Sequence, residues 1–176
     1  MGGWSRRDSL GLGLSGLGSL LWAGAAKAAA GVQLVVLVRH AEKGEGDDPG
    51  LAPQGELRAR NLAHVLRSIG VGAVFSTDTR RTRATAEPTA NAAGLQVAVY
   101  KAEDAAGVAE RVRNLGVPTL IVGHSNTLRT FTQAFGAGDI GDLAHEEYDR
   151  LELLFIVDAV AHRFTLRQTP LEPGSP

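Results

Sequence analysis

Short, nearly continuous apolar runs, separated by segments of helical periodicity, constrain this chain more than any other feature. Gln33 to Val38 has Leu-Val-Val-Leu-Val at its heart, and Thr119 to Val122 is a second such run. Strands this uniformly apolar are those buried on both faces. Ala73-Val74-Phe75 adds another, and Leu95, Val97 and Val99 alternate with Gln96, Ala98 and Tyr100 as in a strand nearer an edge. Between these runs, Leu62, Val65, Leu66 and Ile69 recur at i, i+3, i+4 and i+7, after Pro53 and before Gly70, which predicts a helix with its stop. An Arg/Thr/Ala-rich helix follows Phe75 and ends at Gly94; Pro88 inside it predicts a kink or a split. Ala105, Val108, Ala109, Val112 and Leu115 form the stripe of a third helix, stopped by Gly116 and Pro118, and a fourth runs from about Asn126 to Phe135. Leu151–Val157 and Ala161–Leu166 read as a hairpin turning near Asp158-Ala159. Strand–helix alternation with doubly buried strands predicts an α/β fold. Its architecture is a three-layer α/β/α sandwich on a mostly parallel sheet, with a C-terminal antiparallel hairpin.

The two ends read differently from this body. Residues 1–30 open with Ser5-Arg6-Arg7-Asp8-Ser9-Leu10, continue through a Gly/Leu/Ser/Ala stretch, and close on alanines up to Ala30. A basic start, a moderately apolar middle and an Ala-x-Ala end are the parts of an export signal, and the paired arginines resemble the twin-arginine type. Ser9 stands where that pattern usually has Phe, and Gly11 where it often has Lys. The apolar stretch is too short and glycine-rich for a bilayer span, which needs about 20 strongly apolar residues. The expectation is an exported, periplasmic protein cleaved near Ala28 or Ala30, handled by the twin-arginine machinery and not inserted in the membrane afterwards. Residues 31–170 form the single domain and 171–176 a frayed tail.

Composition narrows the chemistry. The chain of 176 residues has no cysteine, so disulfides, thiol catalysis and cysteine-based metal centres are excluded. Lys plus Arg is 18 against Asp plus Glu 19, and aromatics are 5%, which offers nucleic acid neither a basic field nor stacking platforms. Removing residues 1–30, which carry Arg6, Arg7 and Lys27 against Asp8, leaves a mildly acidic domain. Any anion it binds must therefore be held by a local cluster of positive groups.

Ligands of open α/β sheets bind beyond the carboxyl ends of the strands. The first strand runs into Arg39-His40-Ala41-Glu42, the second into Ser76-Thr77-Asp78-Thr79-Arg80-Arg81, and the fourth into Gly123-His124-Ser125-Asn126. An Arg-His or a Gly-His pair alone is common; each directly ending a buried strand is not. These segments resemble the histidine phosphatase superfamily, which includes the cofactor-dependent phosphoglycerate mutases. Leu37-Val38-Arg39-His40-Ala41-Glu42 is similar to its Arg-His-Gly signature, with Ala41 replacing Gly by another small residue. Leu51-Ala52-Pro53-Gln54-Gly55-Glu56-Leu57-Arg58-Ala59 resembles its Leu-Thr-x-x-Gly-x-x-Gln/Arg-Ala stretch, with Ala52 in place of Thr. Phe75-Ser76-Thr77-Asp78, Arg81 and Thr85-Ala86 match its Ser-Ser-x-x-x-Arg-x-x-x-Thr-Ala segment, and Val122-Gly123-His124-Ser125-Asn126-Thr127 its second-histidine motif. The resemblance spans residues 33 to 167.

It implies a phosphohydrolase acting on phosphomonoesters, of a small molecule or a phosphoprotein, without metal or other cofactor. His40 would attack phosphorus and become phosphohistidine, while Arg39, Arg81 and His124 hold the phosphoryl group. Arg fits this task because its planar fork matches two phosphate oxygens, and neutral imidazole is a competent nucleophile. Arg80 is the alternative to Arg81 and otherwise a surface residue. The leaving oxygen needs an acid, for which Asp104 is preferred over Glu103; both suit the first turn of a helix equally well. Asn126 could donate to the phosphate or cap the following helix. Glu42, Asp47 and Asp48 read as solvated loop. Two other functions stay open: a mutase-type phosphoryl transferase, for which the short span between Arg81 and His124 leaves little lid, and a non-catalytic phosphate or metal binder using His40, His124 and Asp47.

Overall fold

The computed structural model describes residues 31–168, so the expected export signal over residues 1–30 and the expected tail lie outside the described residues. Six strands and four α-helices alternate: β1 (Gln33–Arg39), α1 (Pro53–Leu66), β2 (Ala73–Thr77), α2 (Arg80–Ala93), β3 (Val97–Tyr100), α3 (Ala105–Leu115), β4 (Thr119–Gly123), α4 (Ser125–Ala134), β5 (Arg150–Val157) and β6 (Val160–Arg167). They form one sheet in the order β3-β2-β4-β1-β5-β6. β1, β4, β2 and β3 run parallel; β5 pairs antiparallel with β1, and β6 with β5. This is the expected α/β sandwich with its C-terminal hairpin.

The double burial of the central strands follows from their two faces. Val35 and Leu37 of β1 and Ile121 of β4 pack with Val108, Val112, Leu128 and Phe131 of α3 and α4. The alternate residues Val36, Val38, Leu120 and Val122 pack with Leu62, Leu66, Ala86 and Ala90 of α1 and α2. β3 is an edge strand, as its alternation implies, and Val99 lies exposed on it. No described helix is long and apolar enough to cross a membrane.

Several local expectations are refined. α1 ends at Leu66, and a 3₁₀ turn over Arg67–Ile69 completes it before Gly70, whose φ of 69° supplies the left-handed stop. Pro88 neither kinks nor splits α2, which runs unbroken from Arg80 to Ala93. Proline removes one backbone N–H, the partner of the Ala84 carbonyl, and Ala84 and Pro88 both border an open groove of about 410 Å³ where water can substitute. The hairpin turn falls on Asp158 and Ala159, both at positive φ, the signature of a two-residue turn matched to strand twist.

Candidate active site

β1 and β4 are adjacent and parallel, yet the chain leaves β1 for α1 on one face and β4 for α4 on the other. A crevice opens at such a switch point, at the carboxyl ends of the strands. His40 follows β1 and His124 follows β4. The His40 N–H donates to the Gly123 carbonyl at 2.8 Å, which ties the two strand ends together. The imidazole rings meet edge to face with centroids 5.5 Å apart.

His40 is buried, and its Nδ1 lies 2.8 Å from the Ala41 carbonyl. A carbonyl only accepts, so Nδ1 carries the proton and Nε2 of the neutral ring keeps its lone pair. Burial lowers the His40 pKa to about 4, and the nearby Arg39, Arg81 and His124 push the same way, against the Ala41 bond. The ring is neutral near pH 7. Thr85, of the Thr-Ala pair in α2, fixes the backbone beyond it: its hydroxyl accepts from the Ala41 N–H at 3.0 Å and donates to the Arg81 carbonyl at 2.8 Å.

His124 is the N-cap residue of α4, with Nε2 at 3.0 Å from the Thr77 hydroxyl. The Thr82 hydroxyl donates to the Thr77 carbonyl and accepts from the Thr77 hydroxyl, so Thr77 is left to accept from His124 Nε2–H. Burial, then Arg81 and Arg39, lower the His124 pKa as well. A Cβ at Gly123 would fall 2.2 Å from the Thr127 hydroxyl and 2.8 Å from that of Tyr100, so a larger residue would have to displace both.

The two arginines are built alike. Arg39 donates Nη1 to the carbonyls of Ala144 and His145, at 3.0 and 2.9 Å, and its guanidinium lies 4.3 Å over the Tyr148 ring. Arg81 points Nη1 at Asp48, 3.4 Å away. Each is pinned from outside, and in each the Nε is buried without a partner. Two unpartnered charged donors beside two neutral imidazoles are an arrangement that can take an anion, since a buried unpaired donor is costly until something accepts from it.

The remaining candidates separate. Arg80 is exposed at the start of α2. Asp104 is the N-cap residue of α3 and turns its carboxylate over Gly107, where a Cβ would come within 2.4 Å of Oδ1. Glu103 instead lines an open cavity of about 600 Å³ together with Thr77, Tyr100, Lys101 and His124. The structure thus places Glu103, and not the preferred Asp104, on the wall of the cavity that His124 also lines. Asn126 is exposed in the first turn of α4; the capping role falls to Thr127, whose hydroxyl accepts from the His124 N–H at 2.6 Å.

Two supposed loop acids are engaged. Glu42 accepts a fork from Arg58 of α1, with Nε at 2.9 Å and Nη2 at 2.5 Å. Asp48 accepts from the Arg80 N–H at the start of α2 as well as facing Arg81. Charge pairing, invisible in linear spacing, draws in the Glu42 carboxylate, while Asp48 stays exposed as expected of a loop acid. Asp47 stays exposed, and among the described residues no three His, Asp or Glu side chains gather into a metal-binding group. Sequence reasoning missed Tyr148, whose ring centroid is 5.9 Å from that of His40. It sits in the aperiodic stretch between α4 and β5, which carries no motif.

Comparison with known proteins bears on this geometry. The family model of the histidine phosphatase superfamily (branch 1) matches residues 35–103, the stretch holding Arg39, His40 and Arg81. No curated protein matches the sequence. Among solved structures, a chain described as a SixA phosphohistidine phosphatase, from Nakamurella multipartitia, superposes with a TM-score of 0.58 at 23% identity, covering 81% of this chain and 99% of that one. The protein histidine phosphatase SixA bound to tungstate gives 0.59 at 14% identity, over 77% and 97%. The mycobacterial glucosyl-3-phosphoglycerate phosphatase gives 0.53 at 15% identity, over 77% and 98%. The family resemblance carried by the sequence motifs is borne out, and so is the fold class.

Proposed function

We propose that this chain, alike to the histidine phosphatase superfamily in its matched segment and its fold, is a metal-independent phosphomonoesterase that works through a phosphohistidine on His40. The observation that carries the reading is the pair of buried, unpartnered Nε–H groups of Arg39 and Arg81 beside a neutral His40 whose Nε2 is free. A phosphoryl group seated there has its oxygens met by both guanidinium groups, with the His124 Nε2–H as a third donor in exchange for Thr77. His40 Nε2 then bonds to phosphorus as the ester P–O bond breaks, and Glu103 delivers a proton to the departing oxygen. Water attacks the phosphohistidine, releasing phosphate and restoring the neutral ring. The guanidinium charges persist through both displacements, so no metal is needed to neutralise the phosphoryl oxygens. The SixA and glucosyl-3-phosphoglycerate phosphatase neighbours support phosphate-ester or phosphoramidate hydrolysis as the reaction class. The 600 Å³ cavity beside His124 is open, which suits either a small phosphoester or a phosphoprotein. We also propose that residues 1–30 direct the folded chain through the twin-arginine route to the periplasm.

Rapid quenching during turnover of a phosphomonoester in excess chelator tests the mechanism. The expected result is an acid-labile, alkali-stable phosphate on His40, absent together with turnover in His40→Ala. Arg81→Ala should keep the nucleophile and lose about 10²–10³ in rate. Turnover by His40→Ala near the wild-type rate, or activity that returns only on adding a metal, would overturn it.

A further inference from the structure

We infer that Tyr148 is a positioning residue for the phosphate site, its ring face holding the Arg39 guanidinium so that Nε points at the bound anion. The inference rests on the anion-site reading above and adds to it the stacking and hydrogen bonds that hold Arg39. The guanidinium carbon lies 4.3 Å from the Tyr148 ring centroid, so the cation stacks on the electron-rich face. The same guanidinium closes the turn that carries the ring, with Nη1 donating to the carbonyls of Ala144 and His145. Arg39 is thus a plug in a socket formed by residues 144–148.

The socket is itself fastened to the hairpin. Glu147 accepts from Arg167 at 2.8 Å and pairs with Arg150 at 3.6 Å, and its other oxygen takes the Ala144 N–H at 3.2 Å. Asp149 accepts from Arg167 at 2.9 Å. Arg150 and Arg163 converge in turn on Glu152, which is fully buried in β5. A guanidinium gripped on Nη1 and covered on one face has lost most of its freedom before any ligand arrives. Its Nε remains buried and without a partner in the chain. Preorganised donors bind more tightly than donors that must be ordered on binding. The Tyr148 ring also neighbours His40, with centroids 5.9 Å apart.

The test is the affinity for inorganic phosphate, measured by calorimetry on Tyr148→Phe and Tyr148→Leu, with thermal melts of both. Phenylalanine keeps the π-face and leucine keeps apolar bulk without it, so a merely structural role moves neither or both. The expected result is a phosphate Kd within about twofold of wild type for Tyr148→Phe and weakened about tenfold for Tyr148→Leu, the scale of a partly desolvated cation–π contact. kcat/KM should fall in parallel for the leucine variant only. Equal phosphate affinity for the two variants overturns the inference, whichever way both move. Arg81→Ala separates this from failure of the site itself. Phosphate binding lost there but equal in the two Tyr148 variants sinks the role of Tyr148 alone, whereas a wild-type chain that does not bind phosphate sinks both.

Discussion

His40 shows how one side chain is set for its task by three neighbours. The Ala41 carbonyl selects the tautomer, Thr85 holds the backbone, and burial removes the water that would stabilise the imidazolium. Depression of its pKa to about 4 has a definite sign for stability. Between about 6.5 and about 4 the unfolded chain binds a proton at this position and the folded chain does not, so stability falls as the pH falls through that window. Following the His40 ring C–H resonances of the ligand-free protein by NMR should give a midpoint about 4. A midpoint near 6.5 would mean that the ring is solvated and that the proposed ready nucleophile needs another explanation. The positive groups that oppose protonation, Arg39 and Arg81, are the ones that would hold phosphate, so a bound dianion should raise the midpoint.

The helix that follows the His40 loop is seated by close approach of backbone rather than by a large side chain. Gly55 is the third residue of α1, and a Cβ there would lie 2.1 Å from the Glu42 carbonyl oxygen, an atom that cannot swing away. This contact brings α1 against the loop after His40 and lets Arg58 reach Glu42. Helix propensity alone would have Gly55→Ala stabilise the chain by up to about 1 kcal/mol. The overlap reverses the sign, and a loss of about 1–3 kcal/mol is expected in denaturant melts. A stabilised variant would show that the loop can retreat without consequence and that the glycine in this motif is not there for space.

At the scale of the whole molecule, the sheet brings residues from both ends of the domain to one crevice. Arg39 and His40 come from its first strand, Arg81 and His124 from its middle, and Tyr148 from the approach to its last hairpin. All of this is assembled without a disulfide, since the chain has no cysteine, so folding does not depend on an oxidising compartment. That compatibility matters for the proposed twin-arginine route, which accepts folded cargo. Replacing Arg6 and Arg7 together by Lys should leave the precursor in the cytoplasmic fraction, with the phosphatase activity of a folded enzyme. Undiminished periplasmic protein would remove the twin-arginine proposal and leave the catalytic one untouched.

The sequence by itself determined the architecture and the order of the strand ends, because burial on both faces and helical periodicity leave their mark on consecutive residues. Gln33–Val38, the Leu62–Ile69 stripe, and the positions of His40 and His124 after buried strands were all legible for that reason. Only the tertiary structure decided which acid meets the cavity, because Glu103 and Asp104 are neighbours and a single turn of backbone sends one to the cavity wall and the other over α3. It alone paired Glu42 with Arg58 and set the still exposed Asp48 beside Arg81, kept α2 straight through Pro88, and brought Tyr148 across more than a hundred residues to face Arg39. Charge pairing and stacking between segments distant in sequence leave no period to read, and they are what holds the two arginines with the Nε of each buried and unpaired.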